Sequence, residues 1–440
     1  MIGLAAPVPA PATQSAQLSY VAKLGRLYPS VADQLFSAET LINQGQEVQA
    51  RAILLTIEKR ATGDRATSNQ TQFLLGLLDI HDEDYDGAIR RFRRILVSEP
   101  TAVRVRLEMG RTFFLMGRFG ESRRQFLYAR AGKLPKPVLA NVDRYLNAIR
   151  QRKTFSYGVA VAVTPDTNLN AGTATDTISL YGLPFQLSPK AKANSGVGLA
   201  IDANFEWAPR IANTTKLRIG AQLHRSQYRQ AEFDDMTVTL YTGPNVTLHR
   251  WDLNLLGNVS RRWYGNRGYA TAYGPSADAT YFLTPHLGIG LNVNASQVDY
   301  DLNTLQNGLG KSAGLSFFYT PTAASFVRGA ISMGRQDARL SAYAFDSRQL
   351  GLSYVREFAG GLTAGFAPTF TVINYASPLA AFAATRRDRQ YAVQLSLLNR
   401  RIDFHGLTPR IAYTFIDNKS NIDLFTFRRN RLEIGFTSSF

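Results

Sequence analysis

The sequence predicts an α + β membrane protein, with an N-terminal α-helical repeat domain followed by a 14-stranded antiparallel transmembrane β-barrel. Three observations carry this. Between residues 18 and 153 apolar side chains recur every three or four positions, and the pattern returns after thirty-four. From residue 154 to residue 440 the spacing falls to two. No run of about eighteen apolar residues occurs, so the chain does not cross a membrane as a helix, and a greasy period-two face must meet a second sheet or lipid.

Residues 1–17 begin MIGLAAPVPAPATQSA, with no Lys or Arg before the short apolar patch. They read as a signal remnant or a mature start, expected to be disordered.

In the repeat domain, residues 18–153, Leu75-Gly76 returns as Met109-Gly110, Tyr85 as Phe119, Ala88 as Ser122 and Phe92 as Phe126, each thirty-four positions on. A fainter copy places Ala50 and Leu54 in the Ala88 and Phe92 roles. Thirty-four is the tetratricopeptide period, in which small residues let paired helices approach and an aromatic fills the space between them. The tryptophan of that pattern is missing. Val138–Ile149 is expected to cap the array with Val138, Val142, Tyr145, Leu146 and Ile149 inward. Such arrays bind peptides or proteins along the concave face. In this register that face carries Phe73, Leu77, His81, Arg104, Leu107, Arg111 and Phe114, a mixed apolar and basic groove. Arg90, Arg91, Arg93 and Arg94 fall on the other helix and are expected to face outward.

Alternation is clearest in Val197–Trp207, where Val197, Leu199, Ile201, Phe205 and Trp207 oppose Gly198, Asp202, Asn204 and Glu206. Strands are expected near 154–164, 195–207, 214–227, 235–249, 250–263, 268–283, 286–300, 309–320, 322–335, 342–357, 361–374, 386–399, 402–417 and 425–440. Their polar faces are rich in Gly, Asn, Asp and Ser, which suits a watery lumen, whereas a soluble sandwich would bury its apolar face in a second sheet. Fourteen is even, as a barrel with both ends in the periplasm requires. Trp207, Trp251, Trp263, Tyr264, Tyr300, Tyr319 and Tyr375 near strand ends are expected to form interfacial girdles. In the last strand Leu432, Ile434, Phe436 and Phe440 share the apolar face. A terminal aromatic on such a strand resembles the signal by which outer-membrane assembly machinery recognises its clients.

The chain has no cysteine, which excludes thiolate metal sites and cysteine nucleophiles. Its formal charge of +17 admits acidic headgroups or an acidic protein client as partners; no nucleic-acid-binding pattern is present, so nucleic acid is not expected. His81, His224, His249, His286 and His405 show no metal-ligand spacing, and no nucleophile elbow, P-loop or dinucleotide fingerprint occurs. His224 and Ser226 share a strand face but lack an orienting third group, so no enzyme is expected. Asp166, Asn168 and Asn170 alternate oxygen side chains as a calcium loop does, yet Ala171 and Thr177 stand where that loop needs glycine and an acid. They are expected to cap turns at the barrel mouth or to hydrogen-bond in the lumen, with no metal and no cofactor. Asp202 and Glu206 are expected to pair with basic residues of neighbouring strands such as Arg218.

The junction reads VAVTPDTNLNAG, Val161 to Gly172, directly after PVLANVDRYLNAIRQRKTF. This arrangement resembles the surface lipoprotein assembly modulator family, the type XI secretion outer-membrane translocons, in which a short periplasmic tetratricopeptide domain precedes a fourteen-stranded barrel. The first strand of that family runs into P-D-[ST]-N-[LVI]-N, here Pro165, Asp166, Thr167, Asn168, Leu169 and Asn170. The resemblance implies the outer membrane of a Gram-negative bacterium, with the repeat domain in the periplasm. It implies export of a specific surface lipoprotein or soluble secreted protein of the haem- or metal-scavenging type, with a small carboxy-terminal barrel. Further partners are then outer-membrane lipid and the barrel-assembly machinery, delivery by a periplasmic chaperone is left open, and the translocon is expected to be a monomer. The alternative is a polysaccharide export porin with a tetratricopeptide domain, whose repeat arrays are usually longer.

Overall fold

A computed structural model describes residues 30–60, 63–132, 134–152, 154–284, 286–399, 401–402 and 407–437, with the backbone alone at 147 and 150–152. Phe440, His405 and the 1–17 segment lie outside these. Contacts divide the chain into two compact units, residues 1–118 and 119–440.

The first unit holds α1 (Val31–Asn43), α2 (Glu47–Lys59), α3 (Arg65–His81), α4 (Tyr85–Ser98) and α5 (Val103–Leu115). Side-chain caps begin three of them. Ser30 Oγ accepts from the Asp33 N–H, and Asp84 accepts from the Gly87 N–H. Asp64 caps α3, and the Thr67 hydroxyl, followed by the Thr67 and Ala66 N–H groups, holds its carboxyl below the usual carboxylate range. Leu54, Leu74, Leu75, Ala88 and Phe92 are at most 1% exposed. The small-large order of the repeat has a direct cause here, because a Cβ on Gly76 would lie 2.6 Å from the Phe92 ring. Gly76→Val should cost about 1–3 kcal/mol through overpacking. Thermal unfolding of the helical signal checks this, and an unchanged midpoint would contradict it.

Arg91 corrects the expectation that all four arginines of α4 face outward. Its Nε donates to Asp79 at 2.8 Å and its Nη1 to Glu58 and Gln72 at 3.1 Å, while Arg51 donates to the other Asp79 oxygen at 2.8 Å. Asp79 is 5% exposed, so its charge is tolerated through these two guanidiniums. The period places Arg91 on the correct helix but cannot reveal a carboxylate on α3 that draws it inward.

The second unit begins with α6 (Phe119–Arg130) and α7 (Lys136–Arg152), so these two helices cluster with the strands. Phe126 stacks on Tyr145 at 4.8 Å, and Val142, Leu146 and Ile149 are buried, as the apolar spacing predicts. Fourteen long strands follow. They are β1 (Phe155–Asp166), β2 (Gly196–Trp207), β3 (Thr215–Tyr228), β4 (Asp235–Leu248), β5 (Trp251–Tyr264), β6 (Arg267–Phe282) and β7 (Leu287–Tyr300). The rest are β8 (Gly308–Thr322), β9 (Ser325–Gln336), β10 (Phe345–Glu357), β11 (Leu362–Leu379), β12 (Ala384–Asn399), β13 (Thr408–Ser420) and β14 (Phe427–Thr437). Each pairs antiparallel with its sequence neighbours, and β14 returns to β1, which closes the barrel and removes the edges. With an even count, β1 starts and β14 ends at one rim, called here the near rim; turns at the other end form the far rim.

Two short strands, Thr177–Leu180 and Leu183–Gln186, form a hairpin in the β1–β2 loop that the alternation does not reveal. The strand expected over 402–417 starts at Thr408, and that expected over 361–374 runs on to Leu379. No helix among the described residues is long and apolar enough to cross a membrane. The apolar faces of the strands point outward. Leu255, Ile331, Leu350 and Ile434 are 50–57% exposed. A soluble sheet would bury them, and a barrel in the outer membrane immerses them in lipid.

The aromatic girdle needs a partial correction. Trp207, Trp251 and Tyr319 are exposed on the outer surface near the near rim, with Trp251 packed on Tyr281 at 4.8 Å. Tyr264, Tyr300 and Tyr375 instead lie on the inner face near the far rim. Tyr269 bridges Tyr264 and Tyr300 at 6.2 and 5.7 Å, and Tyr375 packs on Phe345 at 5.4 Å. A bulge between Arg262 and Trp263 shifts the local pairing beside Tyr264.

Candidate functional site

Three features of the barrel converge on β1. The first is its pairing with β14. Ala160, Val161, Ala162 and Val163 face Thr437, Phe436, Gly435 and Ile434, and Asp166 faces Arg431. The run is broken at Thr164 and Pro165, where proline has no N–H to offer the ladder. On its other side β1 pairs with β2 without interruption from Phe155 to Asp166. The inner face of β1 carries Ser156, Gly158, Ala160, Ala162 and Thr164, so few side-chain atoms reach across the seam from within. Among the described residues, the seam is joined by its ladder and by side-chain bonds at its far end.

The second feature is that hold. Asp166, with a fully buried side chain, accepts from Arg429 of β14, whose Nε lies 3.1 and 2.9 Å from its two oxygens and whose Nη2 lies 2.6 Å from Oδ2. The Thr167 N–H donates to the Asn430 carbonyl at 3.0 Å, and the Asn430 N–H returns to Thr167 Oγ1 at 2.9 Å. Asn168 Nδ2 donates to the Arg428 carbonyl at 3.0 Å and to the Gly172 carbonyl at 2.8 Å, while its Oδ1 accepts from the Gly172 N–H. Asn170 binds the other side of the same loop, donating to the Lys190 and Lys192 carbonyls and accepting from the Asn194 N–H. The junction motif is thus a clasp. Asp166, Thr167 and Asn168 fasten β1 to β14, and Asn168 and Asn170 shape the loop that leaves β1.

Leu169 of the motif turns inward and packs with Tyr228, Phe233 and Tyr264. It belongs to the third feature, a layer of arginines and aromatics across the inner face near the far rim. Arg262 pairs with Asp235 at 3.0 and 2.7 Å and lies 4.7 Å over Tyr269. Arg386 pairs with Asp388 and lies 3.5 Å over Phe425 and 4.8 Å over Tyr375. Each guanidinium is thereby neutralised by a carboxylate and covered by a ring, which makes a stiff layer of side chains.

Toward the near rim Glu206 accepts from Arg218 at 2.9 and 2.5 Å and from Tyr241 at 2.7 Å, the ion pair expected of that strand face. Asp202 supplies the third group that His224 and Ser226 lack in sequence, with Asp202 Oδ1 2.6 Å from His224 Nδ1. His224 Nε2 is 3.5 Å from Ser226 Oγ, and Ser226 is 3% exposed. Ser226 is thus buried behind His224, and the three residues link β2 to β3.

In the first unit the residues of the expected groove separate by burial. Phe73 is 4% exposed and packs on Phe92 beneath the Arg104 guanidinium, which lies 4.5 Å over its ring. Leu77, Leu107 and Phe114 are half-buried, and His81, Arg104 and Arg111 are exposed. His81 Nδ1 lies 2.5 Å from Glu47, and with Asp82 these offer ligand atoms within 4.8 Å of one another. Arg51 already occupies Asp82 at 2.6 Å and the imidazole is largely exposed, so the cluster has the form of a surface ion network.

Residues 155–440 match the family model described as surface lipoprotein assembly modifier. The chain belongs to that family. A surface lipoprotein assembly modifier of Pasteurella multocida (strain Pm70) is 22% identical over 376 residues, covering 80% of this chain and 73% of the relative. A hemophilin secretion modulator of Acinetobacter baumannii is 22% identical over 421 residues, covering 91% and 84%. A surface lipoprotein assembly modifier of Moraxella catarrhalis is 21% identical over 424 residues, covering 94% and 80%. Among solved structures, a Pseudomonas aeruginosa FadL homologue aligns with 73% of this chain and 94% of its own, at 8% identity and a TM-score of 0.40. The matched segment starts at Phe155, the first residue of β1, so the family boundary coincides with the barrel.

Proposed function

We propose that this family member is an outer-membrane translocon that delivers a surface lipoprotein, or a soluble secreted protein, to the cell surface. The carrying observation is a closed barrel whose first and last strands meet, among the described residues, along a broken ladder with side-chain bonds at its far end. A seam of that kind can part without dismantling the other strand pairs. The near rim is periplasmic and the far rim extracellular. The helical unit, built on a tetratricopeptide period, receives the client from the periplasm or from a chaperone, through the exposed Arg104, Arg111 and His81 beside half-buried Leu77, Leu107 and Phe114. The barrel-assembly machinery inserts the chain through its last strand, in which Ile434 and Phe436 face lipid. The protein does no chemistry of its own, and the energy for export comes from folding or binding of the client outside.

Deleting the chain should strand one protein in the periplasm and leave capsule polysaccharide and small-solute uptake unchanged. Loss of capsule export would support a polysaccharide porin instead. Charge reversal at Arg104 and Arg111 together should reduce surface display of the client several-fold while the barrel still folds and shows heat-modifiable migration. Unaffected display in that variant would reject the helical groove as the receiver.

A further inference from the structure

At the near rim the second unit encloses a cavity of about 890 Å3, between α6 and α7 and the wall from β1 to β6. This is within the range of pockets that take ligands. Its cations are Arg123, Arg130, Arg210, Lys216, Arg218 and Arg250, against the three carboxylates of Asp143, Glu206 and Asp252. Asp143 is matched by Arg130 at 3.2 Å and Glu206 by Arg218 at 2.5 Å. Asp252 accepts from the Asn245 amide at 2.5 Å. Arg210 donates to the carbonyls of Ala212 and Asn213 and to the Asn213 side chain, and Arg250 to the Leu283 carbonyl. Neutral acceptors leave both charges in place, so positive charge outweighs negative across the chamber. Amides and hydroxyls at Asn213, Thr214, Thr215, Asn245, Thr247 and Asn254 fill the space between.

The chamber faces the lumen. Lys216 and Arg218 alternate with Ile219, which is exposed on the outer surface, so the cations point inward and away from lipid. We propose that this vestibule binds an extended acidic polypeptide segment, the part of the client that enters the barrel first. Carboxylates meet Arg210, Lys216 and Arg250, and the amides and hydroxyls take up main-chain groups that an extended chain leaves unpaired. The inference rests on the translocon reading and adds the chemistry of what is carried.

The test uses the full chain purified in a neutral detergent and a fluorescein-labelled decaglutamate peptide, followed by anisotropy. Saturable binding is expected, weakened by added salt, with a decalysine peptide failing to bind. Lys216→Glu with Arg250→Glu should weaken binding about ten-fold or more, while Arg339→Glu in the β9–β10 connection leaves it unchanged. The neutral pair Lys216→Gln with Arg250→Gln should fall between, and heat-modifiable migration identifies variants that still fold. Equal binding by folded variants and the original chain would overturn the proposal. So would phosphatidylglycerol-doped micelles binding in place of decaglutamate, which would assign the chamber to lipid. Because the peptide assay involves no export, its failure counts against the vestibule alone, whereas unchanged capsule and retained client in the deletion strain bear on the translocon.

Discussion

Gly435→Val should abolish the closed barrel. Gly435 faces Ala162 across the seam, and a Cβ there would overlap the Val161 carbonyl oxygen and lie 2.6 Å from Ala162 Cα. Both are main-chain atoms, which do not rotate away as a side chain does, so β14 must move off β1. The bonds that join Ala160–Val163 to Ile434–Thr437 are then lost, and in lipid each main-chain group left unpaired costs several kcal/mol. Gly257→Ala is the matched control, because a Cβ at that position has the Thr242 carbonyl oxygen 3.8 Å away, an ordinary contact. Heat-modifiable migration and the β signal in circular dichroism should be lost for Gly435→Val and kept for Gly257→Ala. Equal yields of folded barrel from the two would mean that the seam does not close as described.

What the sequence reveals about this protein divides along the range of the interactions. Strand positions are legible because alternation is local, and each lipid-facing residue, such as Leu255 or Ile434, sits two places from the next. The switch from a period near 3.6 to a period of 2 likewise marks the start of β1 to within a residue. Parity fails where a bulge or strand end intervenes. Trp263 and Tyr264 are adjacent, so both cannot face lipid, and Tyr264 joins the inner layer with Leu169. The clasp is half legible. Asp166, Asn168 and Asn170 stand out as a motif, and the Asn170 bonds within their own loop follow from amide chemistry. Arg429 does not stand out, being one cation among several in β14 and 263 residues from its partner. The same limit hid Asp202 beside His224 and Asp79 beside Arg91, since composition shows that partners exist and only folding shows which ones meet.

Asp166→Ala should loosen the seam without preventing closure. The ladder between Ala160–Val163 and Ile434–Thr437 remains, so the barrel should still migrate as folded. What changes is its far end, where the Arg429 guanidinium, 22% exposed, loses the carboxylate that neutralises it. Removing one partner of a buried ion pair costs about 3–5 kcal/mol, and the partial exposure of Arg429 places this case toward the low end. The Asn168 N–H also loses its acceptor, Asp166 Oδ1 at 2.9 Å, which weakens the turn that carries Asn168 to the Arg428 carbonyl. Amide exchange of residues 427–432 should therefore speed up roughly 100-fold, while β5 to β9 keep their protection. A double change, Asp166→Ala with Arg429→Met, should recover part of that protection, because no uncompensated charge is left in the layer. If slow exchange at the far rim survives Asp166→Ala, the ladder alone holds the seam and the motif serves only to shape its loop. If the double change is as loose as the single one, the lost turn at Asn168, and not the stranded guanidinium, accounts for the opening.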